Sequence, residues 1–398
     1  MRKVLLFSLA YYPFIGGAEV AIKEITDRIS PLDIEFHMVT LRFDSTLPRY
    51  EQIGQVHVHR IGYGRRNASV AASFSPLFYI SKILFVPLAA IAALRLHRRN
   101  QFDGLWAMMS YMVLPIVLMR ALGVRLPYAL TLQEGDSFEH VFGRPRMLLA
   151  MPLLRSGFRN ASVVQAISTF LGRWALAMRF EGPLEIIPNG VDAALFARAL
   201  PRPKWREELG IHQSDTLLIS ASRLVRKNAI DDCIRALSML PLQTHLVVLG
   251  EGPERTVLEE LALELGVGQR THFLGSVKHA DLPGYLRASD IFVRPSRTEG
   301  MGNAFIEAMA AGIPVIATQE GGIADFLFDR RRDSGHAATG FAVDRDDPSG
   351  IAEAVERIAG NPEEVRQVVE NAQALAREHY DWNRIARDMR ERVFSKLF

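Results

Sequence analysis

Short apolar runs alternate with longer stretches of helical periodicity along the whole chain. Helical patterns such as Asp231–Leu240 and Glu254–Leu265 separate many of the runs. This alternation predicts parallel sheets with helices on both faces, arranged as two Rossmann-like blocks. In the first half the predicted strands are Val4–Ala10, Glu35–Leu41, Val56–Ile61, Leu105–Met109, Tyr128–Leu132 and Val163–Ala166. In the second half they are Leu217–Ala221, His245–Leu249, Thr271–Leu274, Ile291–Val293, Pro314–Ala317 and Phe341–Val343.

Turn residues mark a boundary between the two blocks. Pro188 and Gly190 interrupt the pattern where the first block ends. We therefore expect an N-terminal domain over residues 1–187 and a C-terminal domain over residues 188–380. The last segment, about 381–398, has the pattern of a charged amphipathic helix that packs back on the first domain.

Two apolar stretches in the first half are candidates for a membrane span. Residues 74–96 are interrupted by Pro76, Lys82 and Pro87, and residues 104–122 form a shorter stretch. Neither is an unbroken run of about twenty apolar residues, the length that a spanning helix needs. Both are therefore expected to be buried or interfacial helices.

Composition and charge favour a soluble protein of two or three domains. Of 398 residues, 48% are hydrophobic and 23% are charged. The single cysteine, Cys233, allows no disulfide within the chain, which predicts a cytoplasmic, reducing location. Residues 1–185 carry a net charge of +8 and the remainder −5. A basic, apolar first half suits an anionic membrane surface or a phosphorylated acceptor, although a solvated basic face explains it as well. No compact basic cluster with interleaved aromatic residues suggests nucleic acid.

The segment from 294 to 325 carries the most specific chemistry. Glu299 and Glu307 are separated by seven residues, among which are Gly300 and Gly302. Glycines let backbone N–H groups approach phosphate oxygens, and a helix N-terminus favours negative charge. Ionised carboxylates only accept hydrogen bonds, so they pair well with sugar hydroxyl groups. The segment therefore predicts a sugar-nucleotide site. The alternative is an ordinary helix start with acidic residues.

Two further features are consistent with a phosphorylated ligand. Gly16 and Gly17 follow the first predicted strand and precede a helix, an arrangement that suits a phosphate cradle or a simple tight turn. Arg223 and Lys227 follow the strand Leu217–Ala221, where two cations can neutralise a diphosphate leaving group. As surface charges they would be unremarkable.

Metal chemistry has little support in the sequence. The acids of Asp344–Asp347 precede a helical pattern, so a turn and a helix cap explain them. The eleven histidines show no paired ligand spacing. Cys233 lies in an apolar periodic stretch, where packing is a better explanation than nucleophilic chemistry. No metal or cofactor is therefore expected.

Motifs in order along nearly the whole chain resemble those of the family 4 retaining glycosyltransferases. These enzymes have the GT-B fold, in which two Rossmann-like domains face each other across a cleft. The segment that contains both glutamates is the most specific of the motifs. In chain order they are YYPFIGG, IPNGVD, SRL, VLGEGP, HFLGSV, SDIFVRPSRTEGMGNAFIEAMAAGIPVIA and YDW.

The resemblance implies that a nucleotide-diphosphate sugar binds mainly to the second domain and that the acceptor approaches from the first. It assigns the ribose hydroxyls to Glu307 and the transferred sugar to Glu299. It assigns the diphosphate to Arg223 and Lys227, which with Glu299 form the implied catalytic set. Other residues implied to contact substrate are Gly16, Gly17, Gln133, Glu134, Asn189, Gly275, Val277, Met301, Gly302, Asn303 and Ala304.

The chain departs from the family pattern at two places. The usual lysine-glycine pair aligns with Asn228 and Ala229, which leaves Lys227 one residue early. Gln133 stands where a histidine is usual, near the reacting centre. Either Glu134 or Asp136 then serves the acceptor, or no side-chain base is needed because the leaving phosphate oxygen takes the proton.

The expected function is that of a metal-independent retaining glycosyltransferase. It would transfer a sugar from a nucleotide-diphosphate donor to the hydroxyl of a glycan or a lipid-linked acceptor, in the synthesis of a cell-surface glycan or glycolipid. The expected location is cytoplasmic or peripheral on the inner face of the membrane. Two alternatives remain open at this point: a sugar-nucleotide epimerase on the same fold, and a non-catalytic sugar-nucleotide-binding subunit.

Overall fold

The chain forms two α/β units, each built on its own sheet. The computed structural model describes residues 1–64, 66, 76–200 and 205–398. The first unit comprises Met1–Asn189 with Trp382–Phe398, and the second comprises Gly190–Asp381. Residues 74 and 75 of the first apolar stretch lie outside the described residues.

The first unit contains an eight-stranded sheet. Its strands are β1 Arg2–Phe7, β2 Ile34–Leu41, β3 Tyr50–Ile53, β4 Val56–Ile61, β5 Gly104–Met108, β6 Tyr128–Leu132, β7 Val163–Ala166 and β8 Leu184–Ile186. Their spatial order is β3-β4-β2-β1-β5-β6-β7-β8. Neighbouring strands run parallel except for the antiparallel pair β3 and β4.

The second unit contains a six-stranded sheet in which every pair is parallel. Its strands are β9 Thr216–Ala221, β10 Thr244–Leu249, β11 Thr271–Gly275, β12 Ile291–Arg294, β13 Val315–Ala317 and β14 Phe341–Ala342. Their spatial order, β11-β10-β9-β12-β13-β14, is that of a doubly wound Rossmann sheet, whose order reverses between β9 and β12.

Helices connect most of the strands, as right-handed parallel crossovers require. In the first unit they are α1 Gly17–Asp27, α2 Pro76–Asn100, α3 Val113–Ala121, α4 Phe138–Phe142, α5 Pro145–Arg159 and α6 Thr169–Ala177. In the second they are α7 Ala193–Arg198, α8 Trp205–Glu208, α9 Ile230–Met239, α10 Arg255–Glu264, α11 Leu282–Arg287, α12 Asn303–Ala311, α13 Pro348–Gly360 and α14 Pro362–His379. Short 3₁₀ turns occur at Ser110–Met112, Arg226–Asn228, Gly268–Arg270 and Gly321–Asp325.

The last segment of the chain belongs to the first unit. It consists of α15 Trp382–Asp388, a π-helical turn Met389–Val393 and a 3₁₀ turn Phe394–Leu397. Its apolar side chains are buried in the same core as β1, β2 and β4. Phe394 packs edge-on against Phe36 of β2 and Trp106 of β5, at centroid distances of 5.5 Å and 5.0 Å. This segment therefore completes the first core.

Helix α2 has one buried face and one exposed face. Phe85, Ala89 and Ala93 are fully buried, and the helix packs against β2 and β4. On the opposite face Ile83 is 71% exposed and Leu88 is 41% exposed. Over Ile80–Asn100 the helix is long and apolar enough to cross a membrane by length and composition, with 22% of its apolar window buried. The packed face makes α2 part of the folded unit.

Sequence patterning predicts most of these elements because buried parallel strands are continuous apolar runs. Every predicted strand is present, although β1 ends at Phe7 rather than Ala10. The prediction missed β3 and β8, which are short and only partly buried. The acids before α13 act as predicted, since the Asp347 carboxylate caps the helix by accepting the Gly350 N–H at 2.9 Å. Cys233 is buried in the second core, where burial raises the pKa of its thiol.

Candidate active site

The second unit gathers predicted site residues at the point where its strand order reverses. Arg223 and Lys227 follow β9, and Glu299 follows β12, the neighbouring strand. In open parallel sheets, ligands bind beyond the carboxyl ends of the strands at this switch point, because the connecting loops diverge to opposite faces there. The topology thus brings the two predicted cations and a predicted carboxylate to the carboxyl ends of two neighbouring central strands.

The Glu299 side chain is held by a buried arginine that the sequence prediction did not identify. Arg294, the last residue of β12, donates from Nη2 to Glu299 Oε2 at 3.0 Å, and its side chain is 6% exposed. The same guanidinium donates to the Ala221 carbonyl of β9 and lies over the Phe305 ring at 4.0 Å. Burial lowers the pKa of Arg294, whereas Glu299 opposes that effect. The carboxylate is therefore fixed in direction before any ligand binds.

Two glycines shape the backbone on either side of Glu299. Gly302 has φ +84° and immediately precedes α12 as its N-cap residue, and a Cβ there would lie 2.5 Å from Arg294 Nη2. Gly321 has φ +66°, and its Cβ would lie 2.1 Å from the Glu299 carbonyl oxygen. That carbonyl accepts the Gly322 N–H at 2.9 Å. Only glycine combines this conformation with so close an approach, which explains the glycines of the motif.

Helix α12 carries the second glutamate and starts in the same loop. Asn303 and Ala304 form its first turn, and Met301 before it is buried. Glu307 lies one turn further on, with a side chain that is 10% exposed. Its Oε1 contacts His279 Nε2 at 2.7 Å, and the imidazole itself is 57% exposed. The Glu307 carboxylate thus has one polar partner, the partly exposed imidazole of His279.

The loop after β9 is anchored from the glutamate segment. Arg297 donates from its backbone N–H to the Lys227 carbonyl at 2.7 Å and from Nη1 to the Arg226 carbonyl at 2.6 Å. Its guanidinium also forms a two-bond pair with Asp231, each bond 2.9 Å, and contacts Asp232 at 3.1 Å. Because Arg297 lies two residues before Glu299, it ties the cationic loop to the loop that carries the carboxylate.

Arg223 projects from this loop with its guanidinium uncommitted. The side chain is exposed, and within the described ranges it forms no ion pair. Its carbonyl accepts Asn228 Nδ2 at 2.7 Å, so the buried amide of Asn228 closes the turn. Ala229 follows in the left-handed conformation, with φ +55°. This conformation explains why a glycine is usual at that place.

The remaining predicted residues of the second unit lie at the ends of the outer strands. Gly275 ends β11 with φ +73°, and its carbonyl accepts the Gly250 N–H at 2.8 Å. Val277 is half-buried in the loop that follows. Gly250 begins the turn into α10, and a Cβ there would lie 1.8 Å from the Ser222 carbonyl oxygen. These loops border the turn that holds Arg223.

In the first unit the two predicted glycines form the start of α1. Gly16 caps the helix and Gly17 is its first residue, and both are exposed. The Glu19 carboxylate accepts backbone hydrogen bonds from Gly16 and from its own N–H, whereas burial raises its pKa. Sequence reasoning missed Glu19, although a glutamate three residues after a cap is the usual signal of this arrangement.

The acceptor candidates of the first unit are tied to the main chain and to each other. Glu134 is 4% exposed, and it accepts the Ser110 N–H at 2.6 Å and the Gln133 N–H at 3.0 Å. Burial raises the pKa of its carboxyl group. Gln133 and Asn189 exchange two amide hydrogen bonds, of 2.8 Å and 3.1 Å. The structure thus brings Gln133, Glu134 and Asn189 together at the ends of β5, β6 and β8. Their contact with substrate stays a prediction.

Family models match both halves of the chain. The model described as Glycosyltransferase Family 4 matches residues 15–195, and that described as Glycosyl transferases group 1 matches residues 201–375. An uncharacterized glycosyltransferase from Methanocaldococcus jannaschii is 30% identical over 97% of this chain and 96% of its own.

A relative with an assigned activity is similar over part of the chain. A GDP-mannose-dependent alpha-(1-6)-phosphatidylinositol monomannoside mannosyltransferase from Mycolicibacterium smegmatis is 30% identical over 61% of this chain. The match spans 65% of that relative's length.

Solved structures share the fold at low identity. Sucrose-phosphate synthase from Thermosynechococcus elongatus superposes with a TM-score of 0.82 at 20% identity, covering 100% of this chain and 99% of the other. The structure of Anabaena HepE in complex with UDP-glucose superposes with a TM-score of 0.76 at 21% identity. The match covers 99% of this chain and 100% of the other.

The fold is that of the GT-B class, which confirms the predicted fold class. The matches to the two family models and to the Methanocaldococcus jannaschii relative over nearly its full length identify the family. The chain belongs to glycosyltransferase family 4.

Proposed function

We propose that this glycosyltransferase transfers a hexose, with retention, from a nucleoside diphosphate sugar to a hydroxyl group of a lipid-linked acceptor. The observation that carries the proposal is the switch point of the second sheet, where Arg223 and Lys227 follow β9 and Glu299 follows the neighbouring strand β12. Cations at these strand ends suit a diphosphate, and carboxylates suit the hydroxyl groups of the ribose and of the transferred sugar.

In the proposed reaction, the Arg223 guanidinium stabilises charge that develops on the departing diphosphate. This charge is greatest in the transition state, so a donor aimed at it accelerates the reaction rather than only tightening binding. Lys227 adds a second positive charge from the same turn. Arg297 positions both by holding the carbonyls of Arg226 and Lys227. No metal ion is required by this arrangement.

The carboxylates have separate roles in the proposal. Glu307 accepts hydrogen bonds from the ribose hydroxyls, and Glu299 orients the transferred sugar while Arg294 fixes its direction. Both oxygens of Glu134 already accept main-chain N–H groups, which favours a reaction without a side-chain base there. In that case the leaving phosphate oxygen receives the proton of the acceptor hydroxyl.

A lipid-linked acceptor is supported by one face of α2 and by the relatives. The exposed apolar positions of α2 continue towards its C-terminus into Arg95, Arg98 and Arg99, which are also exposed. An apolar stripe followed by cations suits a bilayer with anionic headgroups. The relative from Mycolicibacterium smegmatis is named for a phosphatidylinositol acceptor. We infer that the enzyme works at the surface of a membrane.

The donor is identified by a thermal-shift screen of UDP-, GDP- and ADP-sugars, with GDP-mannose first because of the named relatives. A ligand present at 100 times its Kd stabilises the native state by about 2.7 kcal/mol. The donor that shifts Tm is then incubated alone and with lipid extract. Transfer only in the presence of extract supports the proposal. A changed sugar without acceptor indicates an epimerase, and binding without transfer indicates a non-catalytic subunit.

Membrane contact through α2 is tested by cosedimentation with phosphatidylglycerol vesicles. Ile83→Glu is expected to weaken vesicle binding about tenfold, because burying one such side chain contributes roughly 1.5 kcal/mol or more. Leu263→Glu on α10 of the second unit is the matched control, since Leu263 is also 71% exposed. Equal effects of the two changes would reject a specific role for α2.

A further inference from the structure

A cluster of imidazoles lies on the first sheet and is distinct from the residues to which the proposed sugar transfer is assigned. His37 of β2 and His57 of β4 are register partners on adjacent parallel strands, and Glu35 precedes His37 by two residues. Alternate residues of a strand point to the same face, so the three side chains share one face of the sheet. The sequence spacing did not reveal this cluster, because its members come from different strands.

The donor atoms of the cluster are close to one another. One ligand atom from each of Glu35, His37 and His57 lies within 4.8 Å of the others. His37 Nε2 is 2.6 Å from Glu35 Oε1, and the rings of His37 and His57 stack at a centroid distance of 4.7 Å. Ligands bound at about 2.0–2.2 Å to a common ion lie roughly 3.4 Å apart, so small side-chain rotations bring the three together.

Neighbouring groups orient both imidazoles. His37 Nδ1 is 3.2 Å from His59 Nε2, and His57 Nδ1 is 3.0 Å from the Tyr50 hydroxyl. When each Nδ1 carries its proton and donates to these partners, the Nε2 lone pair of each ring is available. Histidines that bind metals ordinarily donate their other N–H in this way, which fixes the ring and its tautomer.

We propose that Glu35, His37 and His57 form a binding site for a divalent transition-metal ion of the Zn²⁺ class. Two imidazoles and one carboxylate are ligands that Zn²⁺ accepts, with a fourth position left for water. His37 is 6% exposed, whereas Glu35 and His57 are half-buried, so an ion reaches the site from solvent. The bound ion would link β2 to β4 and stabilise that side of the first sheet. This inference does not depend on the proposed sugar transfer.

Lys3 competes with the ion for the same carboxylate. Its ammonium lies 3.4 Å from Glu35 Oε1 and its side chain is 28% exposed, so it can move into solvent when an ion binds. This competition predicts an effect of Lys3 on metal affinity that accidental binding of an ion to surface histidines would not show. Removing the ammonium strengthens the binding of the ion.

The experiment titrates Zn²⁺ into full-length, chelator-treated protein by calorimetry, with Co²⁺ absorption as a second readout of the ligand geometry. We expect one saturable site, a loss of at least tenfold in affinity for His57→Ala and a gain of at least threefold for Lys3→Met. His245→Ala is the control, because His245 pairs with His272 at 3.3 Å and lies near Asp215 on the second sheet. It should leave the affinity unchanged.

Three results would overturn the proposal: no saturable binding to the wild type, equal affinity in His57→Ala, or a loss in His245→Ala as large as that in His57→Ala. Circular dichroism and Tm in chelator show whether each variant is folded. If His57→Ala does not fold, Lys3→Met decides alone, and an affinity at or below that of the wild type rejects the site.

Discussion

At the scale of single residues, the candidate site combines two carboxylates that neighbouring side chains contact with one guanidinium that is exposed. Arg294 fixes the Glu299 carboxylate, and His279 contacts the Glu307 carboxylate. Arg223, in contrast, is exposed and forms no ion pair among the residues described. These two states suit the roles proposed for the residues, in which the fixed Glu299 carboxylate orients the sugar before transfer and the Arg223 guanidinium stabilises charge that develops during transfer.

Replacing Arg223 with alanine is expected to lower kcat/KM by about 10²–10³, the usual cost of one donor aimed at transition-state charge. Steady-state kinetics with the identified donor provide the measurement. Arg226→Ala is the matched control, because Arg226 is exposed in the same turn and its contribution to the loop is its carbonyl. Near-wild-type kinetics in Arg223→Ala would remove Arg223 from the mechanism.

Replacing Glu307 with glutamine is expected to weaken donor binding, with a smaller effect on kcat. A neutral amide loses the charge-assisted hydrogen bonds to the ribose hydroxyls, each about 1.5–3 kcal/mol, so Kd should rise by roughly tenfold or more. Calorimetry measures Kd directly. His279→Ala serves as the control, because it removes the partner of Glu307 and keeps the carboxylate. A Kd in Glu307→Gln equal to that of the wild type would contradict the ribose assignment.

At the scale of elements, the loop between β9 and α9 carries backbone strain. The 3₁₀ turn Arg226–Asn228 ends at Ala229, a buried residue in the left-handed conformation. A non-glycine residue there costs roughly 1–2 kcal/mol. Arg297 and Asn228 hold the turn from outside and inside. These contacts hold the loop in shape, although one residue, Ala229, is in an unfavourable backbone conformation.

Replacing Ala229 with glycine is therefore expected to stabilise the protein by about 0.5–1 kcal/mol, because relief of the strain outweighs the added freedom of the unfolded chain. Urea unfolding measures the difference. Ala374→Gly within α14 should change stability in the opposite direction by a similar amount, since the helix interior disfavours glycine. If both changes destabilise equally, Ala229 is not strained.

At the scale of the whole molecule, stability is linked to pH through Asp232, in the first turn of the helix α9 that follows this loop. Burial, with the charge of Asp231 as the next cause, raises the pKa of Asp232 to about 6. The folded state therefore holds a proton on Asp232 between about pH 4 and pH 6, whereas the unfolded chain has released it. The stability that this proton contributes is fully present at low pH and is lost as the pH rises through about 6.

Replacing Asp232 with asparagine should remove this dependence. As the pH rises from about 4 to 6, the free energy of unfolding of the variant should increase relative to that of the wild type, by at most about 1.4 kcal/mol per pH unit. Above about pH 6 the difference in free energy between the two proteins should be constant. Urea unfolding at several pH values gives the two curves. Asp281→Asn, at an exposed position, is the control. Parallel curves for Asp232→Asn and wild type would contradict the assigned pKa.

The sequence alone predicts the architecture well because buried strands and amphipathic helices leave strong patterns. It fails at β3 and β8, which are short and partly exposed. At the site, Glu299 and Glu307 follow from glycine spacing and residue type. Arg294 and Arg297 do not, because their importance arises only when β9 and β12 become neighbours. One signal was present: Arg294 is a charged residue at the end of an apolar strand, where a buried partner is to be expected.

The return of the final segment to the first unit has a consequence for synthesis in the cell. Trp382, Phe394 and Leu397 fill the core around β1, β2 and β5, so residues 1–189 emerge from the ribosome with that core incomplete. The second unit, Gly190–Asp381, is contiguous and has all its parts once residue 381 is free. The unit that is translated first is therefore the one that matures last, and until then its unfilled apolar surface is a natural place for chaperones to bind.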